Sequence, residues 1–127
     1  EAASAVLATT DMLPAVAQGA IGIACRADDE AMLARLAGLD HGPTHSAVLA
    51  ERAMLARLEG SCRTPIAALA EIQGETLALR GLVATPDGTM LYETADSAAV
   101  ADAVALGTRV AETLLDLAGP DFVIGAG

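Results

Sequence analysis

Residues 65–94 constrain the fold more than any other stretch, because they divide into three strand-length runs with a turn signal at each break. "PIAALAEI" stops at Gln73-Gly74, "ETLALRGLVA" stops at Pro86-Asp87-Gly88, and "TMLYET" follows. Glycine supplies the backbone conformations of tight turns, and Pro-Asp-Gly is turn chemistry, so the three runs are expected to form an antiparallel meander. In the middle run Leu77, Leu79, Gly81 and Val83 fall on one face, with Thr76, Ala78, Arg80 and Leu82 on the other. A sheet with one apolar face requires a second layer over it.

Helical segments on either side supply that layer. "DHGPTHSAVLAERAMLARLEG" opens with Pro43 in its first turn, Asp40 or Gly42 as cap, and Gly60 as the left-handed exit. Its apolar residues run nearly all round, with Glu51, Arg52 and Glu59 on one side and Arg57 opposite, the pattern of a helix covered on more than one side. Ser97 to Ala118 carries apolar residues at helical spacing from Val100 to Leu117, with Ser97 or Asp96 as cap and Gly119-Pro120 as the stop. Gly107 lies within that stripe and predicts close approach of the helix backbone to the sheet.

Upstream, "AVAQGAIGIACR" reads as a glycine-punctuated loop followed by an apolar strand over Ala20 to Ala24. Asp28, Asp29 and Glu30 then mark a helix start, Met32, Leu33 and Leu36 give it an apolar face, and Gly38 ends it. A composition break near Leu39 to Pro43 separates residues 1–39 from residues 40–127. The expected class is α+β: a three-stranded antiparallel sheet with helices packed on one face, preceded by a strand and a helix that have no sheet of their own.

Charge and cysteine content remove several function classes. A net charge of −10 with 2% aromatic residues offers neither a phosphate clamp nor a stacking platform, which argues against nucleic acid. Asp11, Pro14, Gln18 and Arg26 interrupt the first quarter, so no run reaches membrane-spanning length and no membrane partner is expected. Two cysteines fall short of a disulfide framework, and a reducing cytoplasm is the simpler location. The chain starts at Glu1 without a secretory signal and reads as a piece of a longer protein.

Few residues carry chemistry. Cys62 follows a helix and lies between Ser61 and Arg63, where neighbouring cations favour the thiolate and a loop position exposes it; a solvent-side or half-buried thiol without a role is the alternative. Cys25 ends the apolar strand and is expected to be buried and structural. Cys25, His41, His45 and Cys62 lack paired ligand spacing, so no metal site is expected, and both histidines fit helix-start or surface positions. Gln18 is a polar side chain in an apolar, glycine-flanked turn, either bonded to nearby backbone or presented to a ligand. Asp28, Asp87 and Asp116 fit caps and turns, and no acid and base pair stands out.

Taken together, "LPAVAQGAIGIACR", "ERAMLARLEGSCRTPIAALAEI" and the "PDG" turn resemble the hydroxymethylbilane synthases, also called porphobilinogen deaminases, over nearly the whole chain. Members of that family are three-domain transferases that join four porphobilinogen molecules into a linear tetrapyrrole for haem, with release of ammonia. The resemblance implies that residues 1–39 end the preceding domains and that residues 40–127 form the C-terminal cofactor-anchoring domain. It implies that Cys62 carries a dipyrromethane cofactor through a thioether and that Gln18 lines the cofactor and substrate cleft. Ala17 replaces the glycine common before that glutamine, and Ser61 stands where a second glycine is frequent.

The family's catalytic aspartate and most of its substrate-binding arginines belong to the missing domains, so the chain holds no catalytic residue by this comparison. The fragment alone is expected to be inactive and not to assemble its own cofactor. Its upstream apolar strand is expected either to fold back on the meander or to drive self-association. A non-catalytic α+β interaction module with an incidental loop cysteine is the rival reading. A thiol redox protein lacks a resolving cysteine nearby.

Overall fold

The computed structural model describes residues 3–58, 65–119 and 122. Its elements are α1 (Glu30–Ala37), α2 (Gly42–Arg57), β1 (Ile66–Gln73), β2 (Thr76–Ala84), β3 (Leu91–Ala99), a 3₁₀ turn (Val100–Asp102) and α3 (Ala103–Ala118). The strands form the expected antiparallel meander in the order β1-β2-β3. Gly74 turns the first hairpin with φ +64°, as a type II′ turn requires of its first central residue. Register runs from Ile66 opposite Val83 to Gln73 opposite Thr76, and from Thr76 opposite Ala99 to Ala84 opposite Leu91.

One face of this sheet makes the core. Leu77, Leu79, Gly81 and Val83 are buried as their alternation predicts, beside Ile66, Ala68 and Ala70 of β1. Helices α2 and α3 cover that face and pack against each other, contributing Ala50, Met54, Leu106, Val110 and Leu114. The second turn is closed by Asp87, whose Oδ1 accepts from Thr85 Oγ1 (2.6 Å), Thr89 N (3.1 Å) and Thr89 Oγ1 (2.8 Å). These bonds, that from the Thr85 side chain foremost, hold the Asp87 carboxyl at about 2.

Several expectations are corrected. Asp96 and Ser97 do not cap the last helix; they lie in β3, opposite Leu79 and Ala78. The reason is that β2 presents backbone groups as far as Thr76, and a helix starting at Ser97 would leave them unpaired. The Asp96 carboxylate instead accepts from Arg109 Nε (3.0 Å) and Nη2 (2.8 Å), tying β3 to α3. The cap of α2 is neither Asp40 nor Gly42 but His41, whose Nδ1 accepts from Thr44 N at 3.4 Å, while Asp40 meets His45 Nδ1 at 3.1 Å.

Gly107 marks a close approach, but to α2 and not to the sheet. A Cβ there would strike the Ala50 carbonyl oxygen and lie 2.8 Å from Ala53 Cβ and 2.9 Å from Met54 N. Gly81 is the matching contact of the sheet, where a Cβ would lie 2.5 Å from Met54 Sδ and 2.9 Å from Val110 Cγ1. These two glycines let a helix and a strand approach the middle of α2 more closely than any side chain would permit.

The upstream helix α1 has the expected limits, with Asp29 Oδ1 accepting from Met32 N at 3.0 Å. The strand expected at Ala20 to Ala24 is absent among the described residues: this segment pairs with no strand, and Ile21 is 90% exposed. A strand is stabilised by neighbours, and at the open edge of β1 the partners are Pro14 and Ala15 instead. Cys25, expected to be buried at the end of that strand, is therefore exposed.

Candidate functional site

The free edge of β1 organises the candidate site. Since β1 pairs with β2 on one side only, alternate amides point outward from its other edge. Such an edge is a template for pairing with another chain unless something covers it. Here the segment just before Gln18 does so: Ala68 N donates to Pro14 O (3.1 Å), and Ala15 bridges antiparallel to Ala67. Leu13 is buried against the domain, and Arg80 Nη2 donates to Thr9 O (3.0 Å). Residues 9–17 thus lie back on the meander.

Glu51 completes the seam. This residue of α2 is 6% exposed, and both its carboxylate oxygens are used. Oε1 accepts from Ala70 N (2.8 Å) on the edge of β1, and Oε2 accepts from Ala17 N (2.6 Å). A carboxylate is tolerated in an interior only with such partners. Nothing in the composition of α2 singles out Glu51, yet a signal was present. It shares the i, i+3, i+7 stripe with Met54 and Leu58, and a charged group on an apolar stripe must find a buried partner.

The turn held by this carboxylate is tight. Gln18 N donates to Ala15 O (3.0 Å), Ala15 N donates to Gln18 Oε1 (3.0 Å), and Ala20 N donates to Ala17 O (3.2 Å). Ala17 has φ +58°, in the left-handed region that costs a side-chain-bearing residue about 1–2 kcal/mol. The glycine that the resemblance places at this position has a conformational reason. Alanine persists there because Glu51 and the β1 edge fix the backbone on both sides.

Gln18 itself is exposed, with its side-chain oxygen bonded back to the turn. A cleft of about 510 Å³ opens beside it, lined by Gly19 to Ile23, the end of α1, and His41, His45 and Arg52 of the α2 region. Cys62 falls on residues 59–64, outside the described residues, as do the expected exit at Gly60 and the neighbours Ser61 and Arg63. The chain on either side of that segment is anchored: Leu58 is 3% exposed, and Pro65 O accepts from Ala84 N (3.0 Å). Among the described residues no group of three or more His, Cys, Asp or Glu is placed to hold a metal ion.

Known proteins are similar in sequence to both segments. A family model described as "Porphobilinogen deaminase, C-terminal domain" matches residues 45–116, more than half of the 127. The chain belongs to the porphobilinogen deaminase family. A second model, "Porphobilinogen deaminase, dipyromethane cofactor binding domain", matches residues 1–34. The chloroplastic porphobilinogen deaminase of Pisum sativum is 50% identical over 125 residues, which is 96% of this chain and 34% of the relative. The chain therefore spans about a third of the length of that relative. Porphobilinogen deaminases are transferases of haem biosynthesis, and the match to the cofactor-binding domain associates residues 1–34 with the dipyrromethane group. The seam at Glu51 joins the two matched regions, since Ala17 lies in one and Glu51 and Ala70 in the other.

Proposed function

We propose that this chain is the C-terminal portion of a hydroxymethylbilane synthase, with residues 1–39 ending the preceding domains and residues 40–127 forming the cofactor-anchoring domain. The whole enzyme joins four porphobilinogen molecules head to tail and releases ammonia. Cys62 carries the dipyrromethane through a thioether, and Gln18 presents its amide to the cofactor and substrate cleft. The observation that carries this reading is the order of the two family matches along one chain, with Cys62 inside the match to the C-terminal domain, residues 45–116.

The donor set fits the group. A thiolate is a soft nucleophile that captures an electrophilic pyrrole methylene, and the resulting carbon–sulfur bond does not hydrolyse in water. Cys62 would hold this group, which would supply the primer for extension of the pyrrole chain. The chain's own contribution is to hold: α2 and β1 fix both flanks of residues 59–64, and the Glu51 carboxylate pins the turn that carries Gln18. The chain by itself is inactive, because the acid–base and carboxylate-binding groups lie in the preceding domains. Exposed apolar residues such as Ile21 and Ile23 are proposed to cause self-association when those domains are missing. The proposed location is the cytoplasm.

Mass spectrometry of the full-length enzyme tests the assignment. An added dipyrromethane on the Cys62 peptide, and loss of both this mass and bilane synthesis in Cys62→Ala, are the expected results. Normal synthesis by Cys62→Ala would return the chain to an interaction module with an incidental thiol.

A further inference from the structure

We infer that Glu51 is a positioning residue of the enzyme, acting by holding the Gln18 turn and the two flanks of the Cys62 segment as one rigid unit. This inference rests on the anchoring role proposed above for Cys62. Two structural pieces lead into and out of residues 59–64: α2, which ends at Arg57, and β1, which begins at Ile66. The Glu51 carboxylate cross-links them through Ala70 N at 2.8 Å, and its second oxygen adds the Gln18 turn through Ala17 N at 2.6 Å. A single buried side chain thus fixes the relative placement of three backbone segments.

Geometry at this scale affects rate. A displacement of about 1 Å caused by a substitution far from the reacting atoms can cost roughly 100-fold in turnover while leaving binding largely intact. Glutamine at position 51 keeps the shape but replaces one acceptor oxygen by a donor, so one of the two amides loses its partner and faces an N–H group in the interior. The Ala17 end is the weaker, since φ +58° is held there against the residue's preference. The Gln18 turn is the part expected to come free.

The test uses the full-length enzyme with Glu51→Gln, and rates are counted per cofactor-loaded molecule at a temperature well below unfolding. Expected is a fall in kcat of about 10- to 100-fold with KM for porphobilinogen changed by less than about 3-fold. A variant that is merely less stable would keep the wild-type kcat per loaded molecule, and that result overturns the inference. If Glu51→Gln does not fold, amide hydrogen exchange of the wild-type enzyme decides: the Ala17 and Ala70 amides should both be protected. Exchange of Ala17 as fast as the exposed Ile21 amide overturns it. Cys62→Ala separates the two proposals. An unloaded, inactive Cys62→Ala beside a fully active Glu51→Gln removes only the role of Glu51, whereas an active Cys62→Ala removes the anchoring role itself.

Discussion

Replacing Gly107 by alanine tests the packing on which the rest of the domain depends. In an isolated helix the change is favourable by about 1 kcal/mol, because glycine is a poor helix former. In this fold the new methyl would strike the Ala50 carbonyl oxygen and lie 2.8 Å from Ala53 Cβ and 2.9 Å from Met54 N. Carbon atoms pack at roughly 3.5–4.0 Å, so α2 and α3 must separate by up to about 1 Å. Two of the three obstacles are backbone atoms of α2, which no rotamer change can remove. Overpacking of a core costs typically about 1–3 kcal/mol, and the backbone obstacles place this case at the upper end. Subtracting the helix-propensity gain leaves a net destabilisation of about 2 kcal/mol. At about 4–8 °C per kcal/mol for a domain of this size, Tm should fall by roughly 8–16 °C. Thermal unfolding followed by far-ultraviolet circular dichroism measures this directly. An unchanged or higher Tm for Gly107→Ala would refute the close crossing of α2 and α3.

Ala17→Gly should stabilise the chain by about 0.5–1 kcal/mol, because relief of the left-handed strain exceeds the added flexibility of the unfolded chain. A rise in the urea midpoint at constant slope would register it, and a drop would mean that Ala17 is not strained. Acid should act on the Asp87 turn in a defined window. Its carboxyl pKa is lowered from 3.8 to about 2 on folding, so its contribution is fully present above about pH 4 and is lost as pH falls toward 2. Asp87→Asn should lack this component, so the stability gap between the two proteins should close across that window; a gap independent of pH would contradict the assignment.

Much of the fold was legible in local sequence signals. Alternation in "TLALRGLVA" specified which face of β2 is buried, and Gly74 and Pro86-Asp87-Gly88 specified where the strands turn. Both signals are carried by residues within a few positions of one another, and the period of a strand leaves little choice of face. The limits of α1 were equally readable, since Asp29 caps it and Gly38 follows it. The start of α3 was not readable, because Ser97 is a good cap in isolation and is overridden by the pairing demand of a strand distant along the chain.

The site divides in the same way. Gln18 and Cys62 stand out by residue type and local context, and the resemblance names a role for each. Glu51 was marked only by its place on the apolar stripe with Met54 and Leu58; its partners, the backbone amides of Ala17 and Ala70, are groups that every residue but proline possesses and that no sequence pattern marks. The amino-acid sequence by itself determined the meander, the helices, the turn residues and the family. Only the tertiary structure decided that α2 lies against Gly107, that residues 20–24 pair with no strand, and that one buried carboxylate joins the Gln18 turn to the edge of β1. Each of these depends on which distant backbone groups end up adjacent, and that adjacency exists only once the chain has packed.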